Sequence, residues 1–166
     1  MKGSRILLVD DEIVFTDNMT RLLTARGYSV TAVDNGGAAV KLLEENGFDV
    51  IVLDLKMPGM DGIATLKEIR KLGLFTQTLV LTGHGSIDTA LEAVKLGACD
   101  YLTKPCEIDE LVAKIEEAWE KKDEEERKDR QEKIQKVIES PSAVFTLFGK
   151  KKTKKREGVE RRKNRC

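Results

Sequence analysis

Rings, thiols and long apolar runs are all scarce in this chain. Aromatic side chains make up 5% of its 166 residues, so the core has to be assembled from Val, Ile, Leu and Ala, which suits strands covered by helices. Cys99, Cys106 and Cys166 are odd in number and lack CxxC spacing. That argues against a disulfide framework and against a zinc or redox site, and makes a reducing cytoplasm the simplest home. The opening MKGSRILLVDDE breaks into charge after only four apolar residues, too few for a signal-peptide core, and no later run approaches a membrane span. A soluble, unprocessed protein is expected. No internal repeat is evident. After residue 120 there is no helix-turn-helix pattern, no aromatic platform for stacking bases and no Walker-type glycine loop, so no folded DNA-binding or ATPase module is expected there.

The formal net charge is zero, from 29 basic and 29 acidic residues, but the distribution is lopsided. Residues 1–120 hold 12 Lys and Arg against 20 Asp and Glu, residues 121–149 hold 7 against 7, and residues 150–166 hold 10 against 2. An acidic domain is thus joined to a basic tail whose net charge of +8 can attract nucleic acid, an anionic membrane or the acidic domain itself. The length accommodates one domain with its own core. Composition places it at 1–120, followed by a charged helical extension at 121–140 and a basic, disordered tail at 141–166.

Short β-branched or Leu-rich runs at 5–9, 28–33, 49–53, 78–81 and 100–102 read as five strands. Between them lie segments with helical spacing: 13–26, with Phe15, Met19, Leu22 and Leu23 on one face; 36–46, ending at Asn46-Gly47; 62–71, with Ile63, Leu66 and Ile69; and 86–96, with Ile87, Leu91 and Val94. A fifth begins near Glu107 and carries Ile108, Leu111, Val112, Ile115 and Trp119. This alternation with short connections predicts an α/β fold, a doubly wound five-stranded parallel sheet in a three-layer (βα)5 sandwich. The unbroken apolar runs 6–9 and 50–53 belong at its middle. From 120 to 133 every residue but Gln131 is charged, which predicts an exposed helical continuation held by Glu/Lys pairs. Ile134, Val137 and Ile138 resume a small stripe before Ser140-Pro141 ends the helix.

In an open parallel sheet, functional groups gather beyond the carboxyl ends of the strands. Asp10, Asp11 and Glu12 close the first strand, Asp54 the third and Thr82 the fourth, and Lys104 follows the fifth. Singly, each has a plain structural explanation: an acid after a strand often caps the next helix, and a lone Thr or Lys is usually solvated. Together they are informative, because clustered carboxylates repel and raise one another's pKa unless a cation sits among them. Oxygen-only donors with no histidine nearby in sequence suit Mg²⁺ better than zinc, and Mg²⁺ suits a phosphate. Lys104 can then offset charge on phosphoryl oxygens and Thr82 can donate a hydrogen bond to one of them. The Asp54 carboxylate acts as the nucleophile that forms an acyl phosphate.

The stretches LLVDDE at 7–12, DLKMPGMDG at 54–62, LTGHG at 81–85 and YLTKP at 101–105 together resemble the receiver family of response regulators, over about residues 4–120. The resemblance implies a flavodoxin-like fold and a phosphoacceptor of a two-component phosphorelay. The phosphoryl group would come from a sensor histidine kinase, a histidine phosphotransfer protein or a small phosphodonor. It implies Asp54 as the phosphoacceptor, with Asp11 and Asp54 as side-chain Mg²⁺ ligands joined by the backbone carbonyl of Lys56, and Asp10 reaching the metal through water. Lys104 resembles the lysine that contacts the phosphoryl group and precedes a cis bond to Pro105. Thr82 and Tyr101 resemble a switch pair whose movement alters the face formed by the fourth helix, fifth strand and fifth helix.

Lys56 and His84, two residues past Asp54 and Thr82, resemble positions that flank the entrance to the phosphorylated site, where they are expected to affect the survival of the acyl phosphate. Gly59 and Gly62 are read as shaping the loop. His84 is the one histidine, so the phosphoryl donor is expected to be another molecule, and the chain a signalling phosphoacceptor rather than an enzyme acting on other substrates. A phosphorylation-independent interaction module would be favoured by a missing acid, and none is missing. A phosphatase with an aspartyl nucleophile would commonly show a general-acid Asp where Lys56 stands. The receiver portion also looks like those attached to transcriptional ATPase modules, so 121–166 reads equally as the linker of a longer regulator.

Overall fold

The computed structural model describes residues 3–83 and 87–140. Strand and helix alternate: β1 (Arg5–Val9), α1 (Ile13–Ala25), β2 (Ser29–Val33), α2 (Gly36–Glu45), β3 (Val50–Asp54), α3 (Gly62–Lys71), β4 (Gln77–Thr82), α4 (Ile87–Lys95), β5 (Asp100–Thr103) and α5 (Ile108–Glu139). The strands pair in parallel in the order β2-β1-β3-β4-β5. This is the doubly wound, flavodoxin-like sheet that the alternation predicts. The β1 and β3 runs are interior strands, and all five residues of β3 are buried.

Side-chain alternation along the strands sorts the core into two layers. Leu7, Val9, Ile51, Leu53 and Val80 pack with Ala39, Leu43, Leu66, Ile69 and Ala93, so α2, α3 and α4 cover one face. Ile6, Leu8, Val50, Val52, Leu79 and Leu81 pack with Met19, Leu23, Leu111, Ile115 and Ala118, so α1 and α5 cover the other. Leu111 and Ile115 are fully buried, and each such side chain contributes about 1.5–3 kcal/mol relative to exposure. Helix starts are fixed locally as well. The Asn35 side chain accepts from Ala38 N at 2.8 Å and the Asp61 side chain from Ala64 N at 2.7 Å, capping α2 and α3.

Three elements depart from the sequence reading. In α4 the large apolar residues Ile87, Leu91 and Val94 are 67%, 46% and 38% exposed, while Ala90 and Ala93 are buried. The small side chains let the helix lie close on the sheet, and the bulky ones face outward. In β4, strand structure begins one residue earlier than the expected 78–81, at polar Gln77, which is buried. Gln77 Nε2 donates to Glu125 Oε2 at 2.8 Å and to Phe75 O at 2.9 Å, so a polar strand start satisfies its donors. The first part of the charged stretch of α5 is likewise tied down. Lys122 Nζ meets Asp49 Oδ1 at 2.9 Å and Glu126 Oε1 at 2.8 Å, with its side chain only 16% exposed.

The chain divides into compact units at Met1–Arg127 and Lys128–Cys166. The described part of the second is the end of α5, where Lys133 pairs with Asp129 at 2.6 Å and Ile134 and Ile138 are exposed. The basic tail expected at 141–166 lies outside the described residues.

Candidate functional site

The strand order reverses between β1 and β3, and the crevice beyond their carboxyl ends is where an open α/β sheet gathers its ligand groups. Asp10 follows β1, Asp54 ends β3, Thr82 ends β4 and Lys104 follows β5. Asp10, Asp54 and Thr82 are buried, at 2%, 4% and 3% exposure. The β5 tip is tied to β4 by the bond from Lys104 N to Thr82 O, 2.7 Å, and the Lys104–Pro105 peptide is cis, as the resemblance implies.

Lys104 is the hub. Its ammonium donates to Asp10 Oδ2, lies 3.1 Å from Glu12 Oε1 and 3.6 Å from Asp54 Oδ2, and keeps its side chain 12% exposed. Asp10 is held from its other oxygen, where Oδ1 accepts from Glu12 N at 2.9 Å. Asp54 Oδ1 accepts from Lys56 N at 3.0 Å, which leaves Oδ2 facing the lysine. Burial works against the charge on Lys104, but the hydrogen bond and charge of Asp10, then the charge of Asp54 and the bond to Glu12, outweigh it and hold the lysine above its ordinary pKa.

Asp54 is shifted upward as well, which for a carboxyl disfavours the charged form. Burial raises its carboxyl above the usual range; the Lys56 N–H and Lys104 pull it down, and the charges of Asp10 and Asp11 push it up again. The ammonium therefore serves Asp10 first, and Asp54 is left short of positive charge.

One carboxylate oxygen from each of Asp10, Glu12 and Asp54 lies within 4.8 Å of the others. All three are hard oxygen donors, and they have drawn a lysine into their midst, so the set fits a cation such as Mg²⁺. Asp11, a metal ligand by the resemblance, is exposed and stands outside this group, close enough that its charge still bears on Asp54; Glu12 occupies the place in the cluster. Lys56 is exposed at its side chain.

The loop after Asp54 is built by glycine. Gly59 has φ of +81°, and a Cβ on Gly62 would lie 2.3 Å from Leu55 Cα and 2.5 Å from Asp54 O, so α3 starts hard against the strand end. Thr82 and Tyr101 line a cavity of about 280 Å³ together with Gly83, Ile87 and Ala90, and the Thr82 hydroxyl makes a long 3.4 Å contact to Gly83 O. His84 lies outside the described residues. Phe15 was legible only as part of an apolar helix face, yet its ring lies beneath the Lys104 ammonium; its position in the first turn after the acids is the one signal pointing to the site.

Comparison with known proteins agrees with this geometry. The family of the response regulator receiver domain matches residues 6–116. The transcriptional regulatory protein ZraR of Escherichia coli (strain K12) is 43% identical over 113 residues, covering 68% of this chain and 26% of that protein. The transcriptional regulatory protein FixJ of Bradyrhizobium diazoefficiens is 41% identical over 113 residues, covering 68% of this chain and 55% of FixJ. The chain thus spans about a quarter to a half of the length of these relatives. Among solved structures, the Francisella response regulator 1452 receiver domain superimposes with a TM-score of 0.67 at 33% identity, covering 71% of this chain and 98% of that one. A CheY-like receiver domain protein from Methanospirillum hungatei JF-1 gives 0.70 at 28% identity, covering 74% and 98%. The buried acids, the bridging lysine and the matched stretch converge on one conclusion: this chain belongs to the response regulator receiver domain family, whose domains are phosphoacceptors in two-component signalling.

Proposed function

We propose that Asp54 is the phosphoacceptor of a cytoplasmic signalling switch that catalyses no reaction beyond its own phosphorylation and dephosphorylation. The observation that carries this reading is the meeting of two buried carboxylates with one ammonium at the tips of β1, β3 and β5. Because Lys56 N–H occupies Oδ1 of Asp54, Oδ2 is the attacking oxygen. It forms the bond to phosphorus as the donor's P–N bond, in a phosphohistidine, or P–O bond, in a small phosphodonor, breaks with its electron pair going to the leaving group. Lys104 lies 3.6 Å from that oxygen and neutralises charge on the incoming phosphoryl oxygens. Thr82, buried at the next strand tip, donates to one of them.

Asp10, Asp11 and Asp54, with the carbonyl of Lys56, would hold Mg²⁺, and Glu12 is placed to join them. The bound ion supplies positive charge to the phosphoryl oxygens. Thr82 and Tyr101 form the switch pair, and the cavity between them gives the ring room to turn. Output passes through α4, β5 and α5, where Ile87, Leu91 and Val94 stand exposed. The donor is a sensor histidine kinase, a histidine phosphotransfer protein or a small phosphodonor, in keeping with membership of the receiver domain family. The incomplete coverage of ZraR and FixJ supports a second reading of context, in which the chain is the receiver portion of a longer transcriptional regulator.

Incubation with acetyl phosphate and Mg²⁺ followed by intact mass tests the proposal. The chain should gain the mass of one phosphoryl group, dependent on Mg²⁺ and absent in Asp54→Asn; an adduct that survives the substitution would refute the assignment.

A further inference from the structure

Acids are not the whole environment of Lys104. Its ammonium sits 4.3 Å from the centroid of the Phe15 ring, within the range over which a ring face attracts a cation. Phe15 comes from the first turn of α1, just after the acids that close β1, and it packs partly buried against the core between α1 and α5. The core therefore fixes the ring, and the ring does not follow the lysine.

The charged neighbours of the ammonium pull in opposed directions. Asp10 and Asp54, with side chains 2% and 4% exposed, draw it into the site, whereas Glu12, at 64%, draws it toward water. Another acid on the inner side would hold the lysine but also cancel its charge. A ring face attracts the ammonium and leaves the full positive charge available to phosphoryl oxygens.

We propose that Phe15 is a positioning residue for phosphoryl transfer, keeping the Lys104 ammonium beside Asp54 and preventing Glu12 from drawing it into solvent. The proposal rests on the reading of Asp54 as phosphoacceptor. A residue that merely filled core space could be any apolar side chain of similar bulk; this role requires a ring.

The test uses the full chain with Phe15→Leu, which keeps apolar bulk and removes the π face, and Phe15→Tyr, which keeps both. Phe15→Met replaces the leucine variant if that one does not fold. The first readout is the proton chemical shift of the Lys104 ε-methylene without any phosphodonor. Ring current should move it upfield of the chain's other lysines in the parent and in Phe15→Tyr, and the displacement should vanish in Phe15→Leu. An ordinary Lys104 shift in the parent overturns the contact, and this arm needs no variant.

The second readout is the rate of phosphorylation by acetyl phosphate with Mg²⁺. Phe15→Leu should be about fivefold slower and Phe15→Tyr close to the parent. The loss should shrink in a Glu12→Gln background, where the competing pull is gone. A leucine variant at the parental rate, or a tyrosine variant as slow as leucine, overturns the positioning role. If the parent itself takes up no phosphoryl group, the reading of Asp54 falls and this role with it, an outcome distinct from a reactive parent whose rate ignores residue 15.

Discussion

Replacing Lys104 by Met removes one positive charge and keeps most of the side-chain volume over Phe15, which isolates electrostatics from packing. In the parent, Lys104 Nζ lies 3.6 Å from Asp54 Oδ2 and donates to Asp10. A pair at 3.6 Å is worth roughly 4–5 kcal/mol at an effective dielectric constant of about 20. Against that stand the desolvation of the ammonium, which the substitution relieves, and the freedom of an orphaned carboxylate to take up a proton. Breaking a buried pair by removing one partner costs about 3–5 kcal/mol, and the remaining access of Lys104 to water places this case at the lower end, about 2–3 kcal/mol. Glu12, being exposed, adds little.

Urea unfolding in the presence of a chelator, followed by far-UV circular dichroism, should show that loss at neutral pH with an unchanged slope. The sign with pH is fixed. Asp54 has a folded-state pKa raised by burial, and losing the ammonium removes a charge that lowers it, so its share of the penalty is complete above the folded pKa and fades as pH falls below it. Adding Asp10→Asn keeps the acceptor for Glu12 N and removes one uncompensated charge, so the double variant should recover at least half of the loss. Saturating Mg²⁺ should stabilise Lys104→Met more than the parent, because the acids then lack any other cation. A loss below about 0.5 kcal/mol, or a double variant no better than the single, would refute the reasoning.

Further predictions follow from the same geometry. Asp54→Asn keeps the acceptor for Lys56 N–H and removes a carboxylate whose pKa is raised by burial, so in chelator it should stabilise the fold by on the order of 1 kcal/mol at neutral pH. The gain should disappear as pH drops below the parent's Asp54 pKa, and urea titrations across pH read it directly. Gly62→Ala would put a Cβ 2.3 Å from Leu55 Cα, so it should cost about 1–3 kcal/mol and slow phosphorylation by displacing the loop behind Asp54; a neutral outcome in both would contradict the close approach. Lys122→Met leaves Asp49, whose two carboxylate oxygens meet Lys122 and Arg5 N, with one partner fewer. It should destabilise by about 0.5–1 kcal/mol and speed amide exchange in α5 from residue 120 to 127, with α1 exchange unchanged.

The strands and the site were readable from sequence for the same reason: both lie in short-range patterns. Apolar runs bounded by acids, Thr or Lys mark where a strand ends, and an alternating fold then brings those ends together without further information. What pattern could not supply was the identity of long-range partners. The Ile87, Leu91 and Val94 stripe looked like a buried face, but the choice between it and Ala90 and Ala93 is made by how closely α4 can approach the sheet. Gln77 gave no strand signal, since what makes it tolerable in β4 is a bond to Glu125, 48 residues away. Residues 120–127 read as a solvated run because the counter-charge of Lys122 is Asp49, 73 residues back. Within the site, the roles of Glu12 and Phe15 depend on where one flexible lysine places its ammonium, which no spacing rule encodes.

Covalent trapping at residue 54 tests the central claim most directly. The chain is treated with acetyl phosphate and Mg²⁺, reduced with borohydride so that an aspartyl phosphate becomes homoserine, digested and mapped by mass. Homoserine at position 54, with Asp10, Asp11 and Glu12 unchanged, is the predicted result. Homoserine at another acid, or none while the intact chain still carries a phosphoryl group, would contradict Asp54 as the residue that the converging strand ends prepare for attack.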